Sequence, residues 1–134
     1  MLLAEDNPAD VVLFNEAVEE SQARAEVHVV DNGADALRFV RRQEPYAGAP
    51  RPDVMVLDLN LPVKNGRDVL AEMMDEPVLR MIPVAILTTS TSEERVCGTY
   101  SEGRCLYFVK TDEFTKLKDI VRRIELYARE KRGQ

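Results

Sequence analysis

Residues 54–62 read Val-Met-Val-Leu-Asp-Leu-Asn-Leu-Pro, and the fold turns on this stretch. Four consecutive apolar residues, Val54 to Leu57, bounded by Pro52-Asp53 and Pro62, spell a strand buried on both faces. Asp58 follows where such a strand ends. A carboxylate placed there is costly unless a charged group meets it. The start of the chain repeats the pattern: Met1-Leu2-Leu3-Ala4 runs into Glu5-Asp6, and Asn7-Pro8 then supplies a helix cap and first turn. Two apolar strands that each finish in acid predict one acidic pocket at the edge of a sheet.

Outward from these two strands, strand and helix patterns alternate. Leu13, Phe14, Ala17 and Val18 recur at helical spacing to about Gln22, and Val27 to Val30 reads as a short strand. Ala36, Leu37 and Val40 stripe a second helix, and residues 43–52, with three prolines and a glycine, form a long loop. Gly66 precedes a helix bearing Val69, Leu70 and Met73, and Pro83 leads into the apolar strand Val84 to Leu87, which ends in Thr88-Thr89-Ser90. A weaker helix is expected from about Ser92 to Glu102, then the strand Leu106 to Val109 ending in Lys110, then a helix from about Glu113 to Lys131. Such repeats, with central strands too apolar to be half exposed, predict an α/β fold: a doubly wound five-stranded parallel sheet with helices on both faces. In such sheets ligands bind beyond the carboxyl ends of the strands. Asp6, Asp58, Thr88 and Lys110 all follow strands at those ends and are expected to converge.

Composition narrows the function. The 134 residues fit a single domain, and a formal charge of −6 argues against general nucleic-acid binding. No apolar run approaches the roughly 20 residues of a membrane span, and no signal-peptide pattern opens the chain, so a cytoplasmic protein is expected. Cys97 and Cys105 are too few for a disulfide framework and lack metal-ligand spacing, so both are expected as reduced thiols. His28 reads as an exposed strand residue, and the basic run Arg129 to Arg132 as a solvated helix tail.

The ordered set of residues resembles the receiver domains of two-component response regulators across the whole chain. Glu5-Asp6 resembles the family's acidic pair, Asp58 its phosphoacceptor, and Pro62 and Gly66 fall four and eight residues after it. Thr88 and Lys110 resemble the hydroxyl and lysine that close the fourth and fifth strands, and Tyr107 sits where the family carries its switch aromatic. The resemblance implies strand order 2-1-3-4-5, a single receiver with no output domain, and no enzymatic activity beyond accepting and losing its own phosphoryl group. The partners it implies are a sensor histidine kinase and a downstream protein. Glu5-Asp6-Asn7, Leu57 to Pro62 and the long loop before Asp53 are similar to stand-alone receivers that serve bacterial phytochromes.

The chemistry accounts for these residue types. Carboxylates a few ångströms apart repel by about 4 kcal/mol per pair at an effective dielectric of 20. A hard cation such as Mg²⁺ relieves this, with Asp6, Asp58 and the Asn60 carbonyl as direct ligands and Glu5 acting through a metal-bound water. Phosphoryl charge on Asp58 is then met by the metal, Lys110 and the Thr88 hydroxyl. Thr88 and Tyr107 form the expected switch.

Other readings compete. Glu5-Asp6 can serve as a helix cap, Thr88 as strand filling, and Lys110 as a solvated lysine. The chain can be a receiver that binds without phosphorylation, or a small aspartyl-phosphate-type phosphatase. Such phosphatases usually carry a second acid two residues after the nucleophile, and Asn60 stands there. Thr111 replaces the family's usual proline after Lys110, so a trans peptide and a slightly shifted lysine are expected. A homodimer is expected through the fourth helix, fifth strand and last helix, on the strength of Ile120, Leu126 and Tyr127, with Val96, Cys97 and Tyr100 as lesser support.

Overall fold

The computed structural model describes residues 1–22 and 25–132. Five strands form one parallel sheet: β1 (Leu2–Ala4), β2 (His28–Val30), β3 (Met55–Leu57), β4 (Val84–Thr88) and β5 (Cys105–Val109), in the order β2-β1-β3-β4-β5. This is the expected 2-1-3-4-5 order. The strands are short because only the residues sandwiched between helices stay apolar, and β1, β3 and β4 are buried throughout.

Alternation along the pleat divides the core in two. Leu2, Ala4, Met55, Leu57, Val84 and Ile86 face α2 (Gly33–Arg41) and α3 (Gly66–Met74). Leu3, Val56, Ala85, Leu87 and Phe108 face α1 (Pro8–Glu20) and α4 (Phe114–Arg132), where they meet Phe14, Leu117, Val121 and Ile124. Asn7, Asn32 and Asn65 cap α1, α2 and α3 by accepting backbone N–H groups through their side chains. These caps fix where each helix begins relative to the carboxyl edge of the sheet. No helix among the described residues is long and apolar enough to cross a membrane.

Several expectations need correction. The helix read over residues 92–102 is a short 3-10 segment, Glu94–Thr99. It contains Gly98 and the weak helix formers Val96, Cys97 and Thr99, and no side chain caps its start. Cys97 and Cys105 are not reduced thiols but a disulfide. The turn through Ser101–Arg104 brings their Cα atoms to 5.3 Å, within bridging range. Tyr100 and Tyr127 do not lie on an outer face: both are core residues. The Tyr100 hydroxyl reaches the Leu79 and Ile82 carbonyls at 2.9 and 2.8 Å, while Tyr127 donates to the Gly103 carbonyl at 3.3 Å. Burial raises both phenol pKa values. His28 is half buried, with its ring tilted against Phe39 at 5.4 Å. Leu126 is as exposed as expected, at 63%.

Candidate functional site

Register places the site. Ala4 pairs with Leu57 and Leu57 with Ile86, so Glu5, Asp58 and Leu87-Thr88 emerge side by side at the carboxyl edge. The Asp58 N–H donates to the Ala4 carbonyl at 3.1 Å, which locks the two acidic strand ends together. Gly66, the start of α3, closes in behind Asp58. A Cβ on Gly66 would lie 2.5 Å from the Asp58 carbonyl oxygen, so only glycine lets the helix approach this closely.

Glu5 and Asp58 are buried, at 4% and 5% exposure, while Asp6 is open to solvent. One oxygen from each of the three carboxylates lies within 4.8 Å of the others. Asp58 Oδ1 accepts the Asn60 N–H at 3.1 Å, and Glu5 Oε2 accepts the Asn7 N–H at 3.1 Å. Lys110 answers the acids directly. Its Nζ lies 2.7 Å from Glu5 Oε1, 2.9 Å from Asp10 Oδ2 and 3.0 Å from Asp58 Oδ2. Burial works against the ammonium charge, but hydrogen bonds to Asp10, Glu5 and Asp58 outweigh it and hold Lys110 well above its ordinary pKa. For Glu5, burial wins over its bonds to Lys110 and Asn7, and Asp58 adds repulsion, so its carboxyl is raised. One cation shared among four acids leaves a surplus of negative charge in a partly buried pocket. That surplus suits a divalent cation with oxygen ligands.

Thr88 is fully buried and its Oγ1 accepts the Ser90 N–H at 3.4 Å. Tyr107, paired with Ile86 and on the same face as Thr88, donates its hydroxyl to the Ser90 carbonyl at 2.6 Å. The Lys110–Thr111 peptide is not among the cis bonds, as expected from Thr111, and the lysine still reaches Asp58. The structure brings Glu5, Asp6, Asp58 with the Asn60 N–H, and Lys110 together at the carboxyl edge, while Thr88 closes the neighbouring β4 and Tyr107 is tied to Ser90 beside it.

Asp10 escaped the sequence reading. A first-turn acid reads as a complement to the helix dipole. The available signal was directional: helical side chains tilt toward the helix N-terminus, which leans Asp10 over the carboxyl edge of the sheet.

By fold and site this is a doubly wound α/β domain with an acid cluster and a lysine gathered at the carboxyl edge of its sheet. The family model of the response regulator receiver domain matches residues 1–122, and the chain belongs to that family, whose work is two-component phosphorelay signalling. It is 39% identical to the response regulator Rcp1 of Synechocystis sp. over 127 residues, 95% of this chain and 86% of that protein. Among solved structures, the phosphorylated cyanobacterial phytochrome response regulator RcpA is 42% identical with a TM-score of 0.81, covering 94% of this chain and 90% of that one. The Mn²⁺-bound form of Rcp1 is 40% identical with a TM-score of 0.79, covering 92% and 89%.

Proposed function

We propose that Asp58 accepts a phosphoryl group from the phosphohistidine of a sensor kinase, and that the chain signals through contacts that depend on it. The observation that carries this reading is Asp58 itself: buried at the end of β3, inside a three-carboxylate cluster, with Lys110 Nζ at 3.0 Å. A carboxylate oxygen of Asp58 attacks phosphorus as the P–N bond breaks and its electron pair leaves with the imidazole. Lys110 and the Thr88 hydroxyl meet the phosphoryl oxygens. Glu5, Asp6, Asp58 and the Asn60 carbonyl fit a divalent cation, Mg²⁺ in this reading, which supplies charge neutralisation when bound. The protein is not otherwise an enzyme. Asn60 in place of a second acid speaks against the phosphatase alternative, and the intact acid–lysine set against a receiver that ignores phosphorylation.

The likeness to phytochrome response regulators supports a phytochrome-type histidine kinase as donor. We read the chain as cytoplasmic and without a membrane partner, and its formal charge of −6 speaks against a nucleic-acid partner. We also read the chain as a homodimer through β5 and α4. With Tyr100 and Tyr127 in the core, exposed Leu126 and Val109 carry that reading. A small phosphodonor with Mg²⁺ is expected to add one phosphoryl group by intact mass, and Asp58→Asn to abolish it; undiminished labelling overturns the assignment. Sedimentation of the same samples is expected to give a dimer that Leu126→Glu dissociates, and a monomer at high micromolar concentration with and without donor removes the dimer.

A further inference from the structure

Lys110 spends all three N–H donors on carboxylates: Glu5, Asp10 and Asp58. Two of these partners, Glu5 and Asp58, belong to the cluster that a cation would draw to itself; Asp10 does not. A metal therefore competes with Lys110 for two of its three anchors and leaves the third untouched.

Asp10 is well placed for this. Pro8 opens α1, and the Asn7 Oδ1 accepts the N–H groups of Ala9 and Asp10 at 2.9 and 3.3 Å, which pins the turn that carries it. At its other end Lys110 is fixed through its own N–H, which donates to the Thr88 carbonyl at 2.7 Å. Lys110 and Asp10 line one small recess with Leu3, Leu13, Phe14 and Leu117, so the lysine side chain bridges the end of β5 and the start of α1. Its side chain is 15% exposed and that of Asp10 36%.

We infer that Asp10 is a positioning residue, which anchors the Lys110 ammonium from outside the metal cluster and keeps it aimed at the phosphoryl site while a cation occupies the neighbouring acids. The inference rests on the proposed role of Asp58. It assigns Asp10 no contact with metal or phosphoryl group; its whole effect passes through Lys110. Before metal binding the lysine has two other anchors, so the loss of Asp10 matters most when cation and phosphoryl group are both present.

The experiment measures binding of beryllofluoride, a stand-in for the phosphoryl group, at saturating Mg²⁺, and of Mg²⁺ alone, by calorimetry. Asp10→Ala is expected to weaken beryllofluoride binding about five-fold, the scale of one partly exposed ion pair, while Mg²⁺ affinity alone stays within about two-fold. In a Lys110→Met background, Asp10→Ala is expected to have no further effect, because the residue it acts through is gone. Asp10→Asn, which keeps the side-chain shape, serves if the alanine variant folds poorly and is expected to change binding in the same direction. Unchanged beryllofluoride binding in both variants, or an equal loss in the Lys110→Met background, overturns the inference. If the unmodified protein binds no beryllofluoride, it is the Asp58 reading that fails, and the inference with it.

Discussion

At the scale of single residues, the Thr88 hydroxyl is already committed: it accepts the Ser90 N–H, and the Ser90 carbonyl holds the Tyr107 hydroxyl at 2.6 Å. A threonine that turns toward a phosphoryl group on Asp58 releases the Ser90 N–H, and the backbone that fixes Tyr107 is freed with it. Beryllofluoride is therefore expected to shift the Tyr107 ring signals by NMR, and Thr88→Ala to remove most of that shift while the ligand still binds. Ring signals that stay constant with the ligand bound take Tyr107 out of the coupling. The candidate site was largely legible in sequence, because Glu5, Asp6, Asp58, Thr88 and Lys110 each announce themselves as a polar residue closing an apolar strand. Asp10 and the Ser90 carbonyl were not. The first resembles an ordinary helix-start acid, and the second is a backbone atom whose partner lies across a strand boundary.

At the scale of elements, the strands and the four α-helices could be read because apolar period, the Asn7-Pro8 helix start and proline breaks agree with one another. The region from Glu94 to Cys105 could not. Its few apolar residues fit a weak helix, but Tyr100 is drawn inward to the Leu79 and Ile82 carbonyls and Cys97 is bound to Cys105. Both are tertiary events that no local period records. The bridge spans a sequence separation of eight residues and ties the 3-10 segment to the first residue of β5. In the chain-entropy account a loop this short stabilises by about 2–3 kcal/mol. Incubation with dithiothreitol is expected to lower the midpoint of thermal unfolding by several degrees, and Cys97→Ser with Cys105→Ser to lower it similarly and remove the sensitivity to reductant. Equal midpoints with and without reductant would show that the bridge contributes nothing to stability.

At the scale of the whole molecule, stability is linked to the crowded acids. Glu5, raised above its ordinary 4.5 chiefly by burial, binds its proton more tightly folded than unfolded. Its contribution to stability therefore falls as pH climbs from 4.5 through the folded value, because there the native state holds more proton. Glu72 has the opposite sign. Its hydrogen bond to Lys64, aided by Arg41, lowers its pKa, so its contribution is present above 4.5 and fades as pH falls through the folded value. A divalent cation held by these carboxylates would favour the ionised cluster and offset the Glu5 loss. The gain in melting temperature from millimolar Mg²⁺ is expected to be near zero in acid and to grow as pH rises past the Glu5 titration, and Glu5→Gln to flatten that growth. A Mg²⁺ gain independent of pH would separate the cation from these carboxylates.

The position of β2 at the outer edge of the sheet has a practical consequence for protein engineering. β1, β3 and β5 deliver the acids and the lysine of the cluster and β4 delivers Thr88, whereas β2 delivers none of these residues, and the long loop from α2 to β3 runs to the opposite rim. Gly48 in that loop is exposed, with no atom within 4 Å of where a side chain would begin. A fluorescent protein or affinity handle grafted at Gly48 is thus attached to a part of the molecule that takes no share in the chemistry. The strand ends that carry the site tolerate little change, but they leave this corner open as an attachment point for a biosensor.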